Sequence, residues 1–323
     1  MSVSSSTLQD RDVSEAPLSP AARFRALPAN LRGALWLVLG ALIFSAVGVF
    51  IRYAGREIDA LQLSFFRGAI GLVFIVPLLI RQRVNPFRSP RPGLHFIRAA
   101  LGTTAMVCGF YATTNLPLAD ATSISFSQPL FVTMLAALFM GEVVRWRRWS
   151  ATIVGFAGVV VMMRPGAGSF QAAMLIALAG TFAGACSTML VKKMSAHDGP
   201  LAIVGSIAIL QTIFLLPPAL LVWQWPSPTV WLYVLGIGLC ATVGQYCWIR
   251  AYSAGEASAI APFDYVRLPL SIGAGVWLFA EVPTVWTAVG TAIIVCSTAY
   301  IAHREATLGK TLPGAVKAQK TPA

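Results

Sequence analysis

Long apolar runs separated by short polar turns follow one another along most of the chain. Each run approaches the roughly 20 residues that an α-helix needs to cross the hydrocarbon core of a bilayer at about 1.5 Å per residue. Turn and breaker residues separate the runs, as at Arg91-Pro92-Gly93 and Pro226-Ser227-Pro228. Ten membrane spans are therefore predicted, near residues 33–52, 61–80, 94–114, 120–140, 148–164, 171–192, 201–223, 229–249, 256–279 and 284–302.

Composition excludes an ordinary soluble domain. The 323 residues are 57% hydrophobic and only 11% charged, whereas soluble domains carry about 25% charged residues. The five cysteines, all inside apolar runs without paired spacing, indicate neither a disulfide framework nor a metal site and are interpreted as packing residues. No cofactor is predicted.

The positive charges alternate between the two sides of the predicted spans. Of the 24 Lys and Arg residues, eighteen fall on one side, three (Arg52, Arg56 and Arg164) on the other, and three (Arg67, Arg98 and Arg267) within spans. This asymmetry is the one that the positive-inside rule gives for ten spans with both termini in the cytoplasm. The net charge of +12 therefore indicates membrane topology and no nucleic-acid partner.

Both ends of the chain are polar. Residues 1–32 have mixed charge and lack the apolar core of a signal peptide, and residues 303–323 are polar with several lysines. Both are predicted to be cytoplasmic tails, the first of them disordered.

An internal repeat divides the spans into two halves, residues 33–164 and 171–302. A shift of 140 places Gly40 on Gly180, Arg52 on Lys192, Leu61 on Leu201, Phe74 on Phe214 and Pro77 on Pro217, and a shift of 139 places Glu142 on Glu281. Because each half holds five spans, an odd number, the second half enters the membrane from the opposite side. Inverted repeats of this kind are typical of secondary transporters that work by alternating access.

The motifs resemble the EamA family of the drug/metabolite transporter superfamily. They are Phe66-Arg67, Ala119-Asp120-Ala121, Gly141-Glu142, the stretch Ala261 to Pro269, and Glu281, and the resemblance covers about residues 33–302. It implies an all-α membrane protein of ten transmembrane helices in two inverted five-helix repeats, located in a bacterial inner membrane. It also implies transport of a small organic metabolite, such as an amino acid or derivative, or a vitamin such as riboflavin. Ala280, where the family usually has Gly before Glu281, is a departure.

Asp264 and Arg267 are the clearest site candidates, because an intramembrane charge costs at least ~2.5 to 3.5 kcal/mol on insertion scales. At positions i and i+3 of a helix they share a face and can form an ion pair. Two interpretations stay open: the pair is permanently structural, or substrate or a proton competes for it. Pro262 and Pro269 flank the pair and either free carbonyls for a ligand or only kink the helix.

Weaker candidates complete the predicted substrate or coupling site. Arg67 either faces the cavity or extends to the interface, and Gln128, with the serines around it, either binds substrate or packs helices. Tyr265, Tyr111 and Tyr246 are aromatic candidates for cavity walls. Glu142 and Glu281, at the span ends, are interpreted as capping or packing residues.

An integral-membrane enzyme and a channel are the competing interpretations. The three histidines, His95, His197 and His303, are spread over loops and span ends, and the sequence suggests no HExxH motif and no Ser-His-Asp set. Enzyme activity is therefore not expected. The predicted partners are a small-molecule substrate and the lipid bilayer, with a homodimer as a further candidate assembly.

Overall fold

The computed structural model describes residues 27–139, 146–164, 172–194, 197–254 and 260–311. Within these residues the chain forms eleven α-helices and one 3-10 helix. The α-helices are α1 Ala29–Ala54, α2 Ala60–Arg81, α3 Pro92–Asn115, α4 Leu118–Ser125, α5 Gln128–Phe139, α6 Trp146–Met163, α7 Ala172–Met194, α8 Pro200–Leu221, α9 Pro228–Ala254, α10 Arg267–Phe279 and α11 Val285–Thr311; the 3-10 helix, Ala261–Val266, precedes α10.

Six stretches are long and apolar enough to cross a membrane: Ala29–Ala54, Ala60–Arg81, Leu118–Phe139, Ala172–Val191, Leu201–Leu221 and Pro228–Ala251. They correspond to the predicted spans one, two, four, six, seven and eight. Two shorter apolar helices, Trp149–Met163 and Val285–Ile301, lie at spans five and ten. The chain is a multi-pass, all-α membrane protein, as predicted.

Many large hydrophobic side chains lie on the surface of the bundle. Large hydrophobic side chains such as Leu221, Trp277 and Val282 are almost fully exposed, whereas polar Gln62 and Ser64 are buried. A soluble protein rarely exposes so much apolar surface. The arrangement suits a protein whose outer surface contacts lipid and whose polar groups find partners inside.

The main helix pairs join the two halves of the chain. Helix α1 packs along α9, α3 along α7, α2 on α8 and α6 on α11. Small residues allow close approach at the crossing of α3 and α7, since a Cβ at Gly180 of α7 would lie less than 3.0 Å from the Cβ of Cys108. A Cβ at Gly40 of α1 would meet the Cβ of Cys247 in α9 at 3.5 Å, an ordinary contact, so glycine and cysteine pack helices at both crossings as predicted.

The crossing of α6 and α11 leaves no room for a side chain. A Cβ at Gly290 would lie 2.6 Å from the carbonyl oxygen of Gly158 and 3.0 Å from the backbone nitrogen of Met162. We expect Gly290→Ala to destabilise the protein by about 2 kcal/mol, within the range for overpacked cores, because backbone atoms cannot rotate away. Thermal unfolding in detergent measures the change. Gly71→Ala is the matched control, because a Cβ there meets nothing within 4 Å; equal midpoints for the two variants would contradict the prediction.

Spans four and nine, each predicted as a single span, are interrupted within the described residues, and in span nine Pro262 and Pro269 had indicated a weakened or kinked helix. Span four divides into α4 and α5 at Phe126 and Ser127, and span nine passes from the 3-10 helix into α10 at Arg267. Pro129 and Pro269 stand 140 residues apart just after the two breaks. A proline nitrogen has no hydrogen to donate to the carbonyl four residues earlier, so each weakens the helix at the break.

The ends of the bundle differ from the sequence prediction in two places. Helix α1 begins at Ala29, inside the predicted N-terminal tail, and α11 continues to Thr311, past the predicted end at residue 302. Residues 1–26, residues 312–323 and Glu142 lie outside the described residues.

Candidate functional site

Arg267 and Asp264 do not form the predicted ion pair. Within the described ranges, the basic and acidic side chains closer than 4.0 Å are Arg52 with Glu281 and His95 with Asp198, the second pair being ionic only when the imidazole is protonated. The guanidinium carbon of Arg267 instead lies 5.8 Å from the centre of the Phe44 ring of α1, a cation–π arrangement. Both Asp264 and Arg267 are half-buried, and their charged groups lie further apart than the 4.0 Å of a direct ion pair.

Arg67 has a similarly weak partner. Its Nη1 lies 3.0 Å from the sulfur of Met106 on α3, and the Nε2 of Gln211 on α8 approaches the same sulfur at 3.5 Å. A thioether is a poor acceptor, and a guanidinium has five donors. Arg67 points between α2, α3 and α8 rather than pairing with a carboxylate in the described part of the chain, which leaves its donors available to a ligand.

Gln128 contacts α7. Its Nε2 donates to Thr188 of α7 at 3.2 Å, and a Cβ at Gly184 of α7 would lie 3.6 Å from both Gln128 Nε2 and the Cβ of Ala105. Ala105 is the chain neighbour of Met106, which Arg67 contacts. The structure therefore brings Arg67 and Gln128 to the same level of α3.

The serines beside Gln128 are used by the backbone. Ser123, Ser125 and Ser127 donate to the carbonyl groups of Ala119, Thr122 and Ile124, each at 2.6 Å. Side-chain bonds to preceding carbonyls bend a helix, so these hydroxyls contribute to the break in span four. They are already satisfied without a substrate.

Tyr265 packs in the interior. Its hydroxyl donates to Thr298 of α11, and its ring lies 5.1 Å from the ring of Phe126. These contacts join the two interrupted spans to α11 and favour a packing role over a cavity wall.

Tyr265→Phe is expected to lower the free energy of unfolding by about 1 kcal/mol, the usual net value of one hydrogen bond, because only the bond to Thr298 is lost. Substrate flux should stay near the wild-type rate. Thermal unfolding and vesicle uptake measured side by side check this. A selective loss of flux would instead place the Tyr265 hydroxyl in the transport path.

The other two tyrosines are more exposed. Tyr246 is stacked edge-on against Trp36, with ring centres 6.1 Å apart, and the guanidinium of Arg250 lies 5.6 Å from the Trp36 ring and 5.9 Å from the Tyr246 ring. Aromatic and basic residues grouped at a helix end are typical of the membrane interface. Tyr111 is 37% exposed on α3.

A partly buried ion pair that the sequence had not indicated lies at one end of the bundle. Arg52, at the end of α1, bonds to Glu281 at 2.5 Å, and its Nη1 also donates to the carbonyl groups of Thr114 at 2.6 Å and Leu116 at 2.9 Å. The other oxygen of Glu281 accepts from the backbone nitrogen of Leu118 at 2.9 Å. One pair thus ties the ends of α1 and α10 to the junction of α3 and α4.

Helix dipoles complement this pair. Arg52 lies at the carboxyl end of α3, where unpaired carbonyls carry partial negative charge, and Glu281 lies at the amino end of α4, where N–H groups carry partial positive charge. The repeat contained the only signal in the sequence: each half ends its first span with a cation, Arg52 or Lys192, and its fourth predicted span with a glutamate.

A Ser-His-Asp arrangement, which the sequence had been expected to lack, occurs at the opposite end of the bundle. The Nδ1 of His95 lies 2.6 Å from the hydroxyl of Ser206, and its Nε2 lies 3.1 Å from Asp198. Sequence reasoning missed it because the three residues come from α3, the α7–α8 turn and α8. Ser206 is only 1% exposed, so its oxygen is not accessible as a nucleophile.

A groove of about 450 Å³ lies elsewhere, between α6 and α11. Trp146, Val154, Cys296 and Tyr300 are among the residues that line it. None of the predicted site residues contributes to it, so the groove is separate from the arginines in the spans.

Similarity to a known protein family occurs twice along the chain, once in each of its two halves. The profile of the EamA-like transporter family matches residues 31–164 and again residues 171–302. A riboflavin transporter of Vibrio cholerae is 34% identical over 283 residues, which cover 85% of this chain and 94% of that protein. An S-adenosylmethionine uptake transporter of Rickettsia conorii is 30% identical, with 87% and 95% covered, and a pseudopaline exporter of Pseudomonas aeruginosa is 29% identical, with 81% and 93% covered.

A crystal structure of a protein with 20% sequence identity superposes with a TM-score of 0.59, covering 84% of this chain and 98% of the other. This likeness shows a shared fold. The curated relatives, by contrast, share their named activity class, which is transport of small molecules.

Proposed function

Because this chain belongs to the EamA-like transporter family, we propose that it is an inner-membrane secondary transporter of a small organic metabolite that works by alternating access. Its first candidate cargo is riboflavin. The single observation that carries this choice is a pair of intramembrane arginines, Arg67 and Arg267, with no carboxylate within 4.0 Å in the described residues. Unpaired guanidinium groups favour a ligand with carboxylate, carbonyl or other electron-rich groups.

Ten spans in two inverted halves are supported by the helix contacts. Each span of one half has a counterpart at the same position in the other half. When every span is exchanged for its counterpart, the pair α1–α9 becomes α7–α3, and the pairs α2–α8 and α6–α11 are unchanged. The contact of Gly40 with Cys247 corresponds to that of Gly180 with Cys108. The asymmetry of positive charge supports cytoplasmic termini.

The interrupted spans support a site near the middle of the membrane. Gln128 and Arg267 are the first residues of α5 and α10, the second segments of the two broken spans. Gln128 faces Gly184 of α7, and Arg267 faces Phe44 of α1; positions 44 and 184 are themselves 140 residues apart. Irregular backbone is tolerated at membrane depth where it borders protein or a cavity, and discontinuous helices form the substrate sites of many secondary transporters.

Riboflavin suits these groups better than a cationic substrate does. Its flat ring offers several acceptor atoms for Arg267 and a face for aromatic stacking, as with Phe44. The sulfonium of S-adenosylmethionine would be repelled by two arginines. The named cargo of the V. cholerae relative is consistent with this choice.

Uptake into vesicles tests the proposal. Purified protein in liposomes should move riboflavin, followed by its fluorescence, with saturable kinetics that empty liposomes lack. S-adenosylmethionine and amino acids, each added together with riboflavin, should inhibit its uptake only weakly. Failure of all three classes would reject the cargo, and a steady single-channel conductance in place of saturable flux would indicate a channel.

A further inference from the structure

A polar cluster beside the start of α3 takes no part in the proposed site. His95 is 3% exposed and contacts Ser206 of α8 and Asp198 of the α7–α8 turn. The same Asp198 oxygen accepts from the hydroxyl of Ser89, ahead of α3, at 3.0 Å. His95 thus joins the entry of α3 to the entry of α8, which belongs to the other half of the chain.

The number of protons in this cluster determines its charge. The hydroxyl of Ser206 lies 3.0 Å from the carbonyl oxygen of Ile203 and 2.6 Å from His95 Nδ1, but it has one proton to donate. If that proton goes to Ile203, Nδ1 must carry a hydrogen to bond Ser206, and Nε2 must carry another to bond Asp198. Both contacts are then satisfied only by a positively charged imidazolium opposite a carboxylate. If His95 is neutral, the Ser206 hydroxyl must donate to Nδ1 and lose its hydrogen bond to the Ile203 carbonyl.

In the described part of the chain, few charged residues stand on the elements that adjoin His95. Arg98, one turn further along α3, donates to the carbonyl of Ile203 at 3.1 Å, an oxygen that can accept from Arg98 and Ser206 together. Arg91 bonds Ser89 through its backbone nitrogen, and Lys192 and Lys193 end α7. Helix α8 contains no charged residue. Asp198 is therefore the carboxylate that contacts the His95 ring in the described residues.

We propose that His95 is a proton-binding site, paired with Asp198, whose protonation holds the α3 and α8 entries together. The face concerned is the one predicted to be cytoplasmic. Added protons strengthen the contact and proton loss weakens it, so the contact weakens as pH rises. Resting on the proposed function, this makes cytoplasmic protons a ligand that favours closure of that face during transport.

Hydrogen–deuterium exchange of the full-length protein in detergent tests the site without any substrate. Between about pH 8 and about pH 6, which bracket the ordinary titration of histidine, protection of residues 89–98 and 197–206, corrected for intrinsic exchange, should rise about tenfold, the effect of one charge-assisted hydrogen bond. His95→Gln keeps a donor toward Asp198 but cannot titrate in this range, so the rise should disappear. His197→Gln is the matched control, because His197 is exposed and neighbours Asp198, and it should behave as wild type.

Asp198→Asn provides a second variant, since the amide keeps an acceptor for Ser89 but removes the charge that stabilises the proton. It too should lose the pH response while unfolding at a similar temperature. A pH response that persists in His95→Gln, or that His197→Gln abolishes, overturns the proposal. Exchange is measured without cargo, so the two proposals can fail separately. If the cluster responds to pH but the protein transports no metabolite, the proposed function is refuted and the proton site stands.

Discussion

Arg52→Met is expected to lower the free energy of unfolding by about 2 to 3 kcal/mol, less than the ~3 to 5 kcal/mol typical of breaking a fully buried ion pair. The side chains of Arg52 and Glu281 are 20% and 14% exposed, so solvent screens them only in part. Methionine keeps most of the apolar side-chain volume of Arg52. The substitution leaves the hydrogen bond from the Leu118 nitrogen as the remaining described bond of Glu281. It also removes the donor that satisfies the carbonyl groups at the end of α3. Thermal and denaturant unfolding in detergent, followed by tryptophan fluorescence, measures the loss.

Arg56→Met is the matched control, because the exposed guanidinium of Arg56 contacts the rings of Tyr53 and Phe279 and its loss should cost less than about 0.5 kcal/mol. Glu281→Gln and the double variant with Arg52→Met complete a thermodynamic cycle. The double variant should be more stable than the sum of the single effects predicts, since no uncompensated charge remains. Strict additivity would show that the two side chains act independently.

Arg267→Gln is expected to reduce riboflavin flux by at least about tenfold while leaving thermal stability equal to or above that of the wild type. An intramembrane arginine costs at least ~2.5 kcal/mol, and in the described residues Arg267 has no carboxylate within 4.0 Å to offset that cost, so the neutral amide should not destabilise the fold. The variant also removes the guanidinium that we propose binds the cargo. Flux into vesicles and unfolding temperature are measured on the same preparation.

Arg250→Gln serves as the control, because Arg250 also lies over aromatic rings, those of Trp36 and Tyr246, but at the end of α9. Its flux should change less than about twofold, as is usual for surface substitutions. Wild-type flux in Arg267→Gln would remove Arg267 from the site. A large drop in its unfolding temperature would make the contact with Phe44 structural.

The contacts of the candidate site residues depended on distant parts of the chain. The sequence predicted that Asp264 and Arg267 were unusual, because charge in an apolar run is visible locally. It did not predict that Arg267 would lie over Phe44, since that partner belongs to α1. The break in span four was partly foreseeable: Ser123, Ser125 and Ser127 before Pro129 weaken a helix through bonds within one turn.

The sequence by itself determined that this protein lies in a lipid bilayer, where most of its helices are, and the family to which it belongs. Partition into lipid is the sum of local transfer free energies over about 20 neighbouring residues, so apolar runs suffice to predict it. Only the tertiary structure decided that Arg52 pairs with Glu281, 229 residues away, and that His95 meets Asp198, 103 residues away. Such bonds depend on distance and direction within a few ångströms, and the packing of helices from both halves sets that geometry.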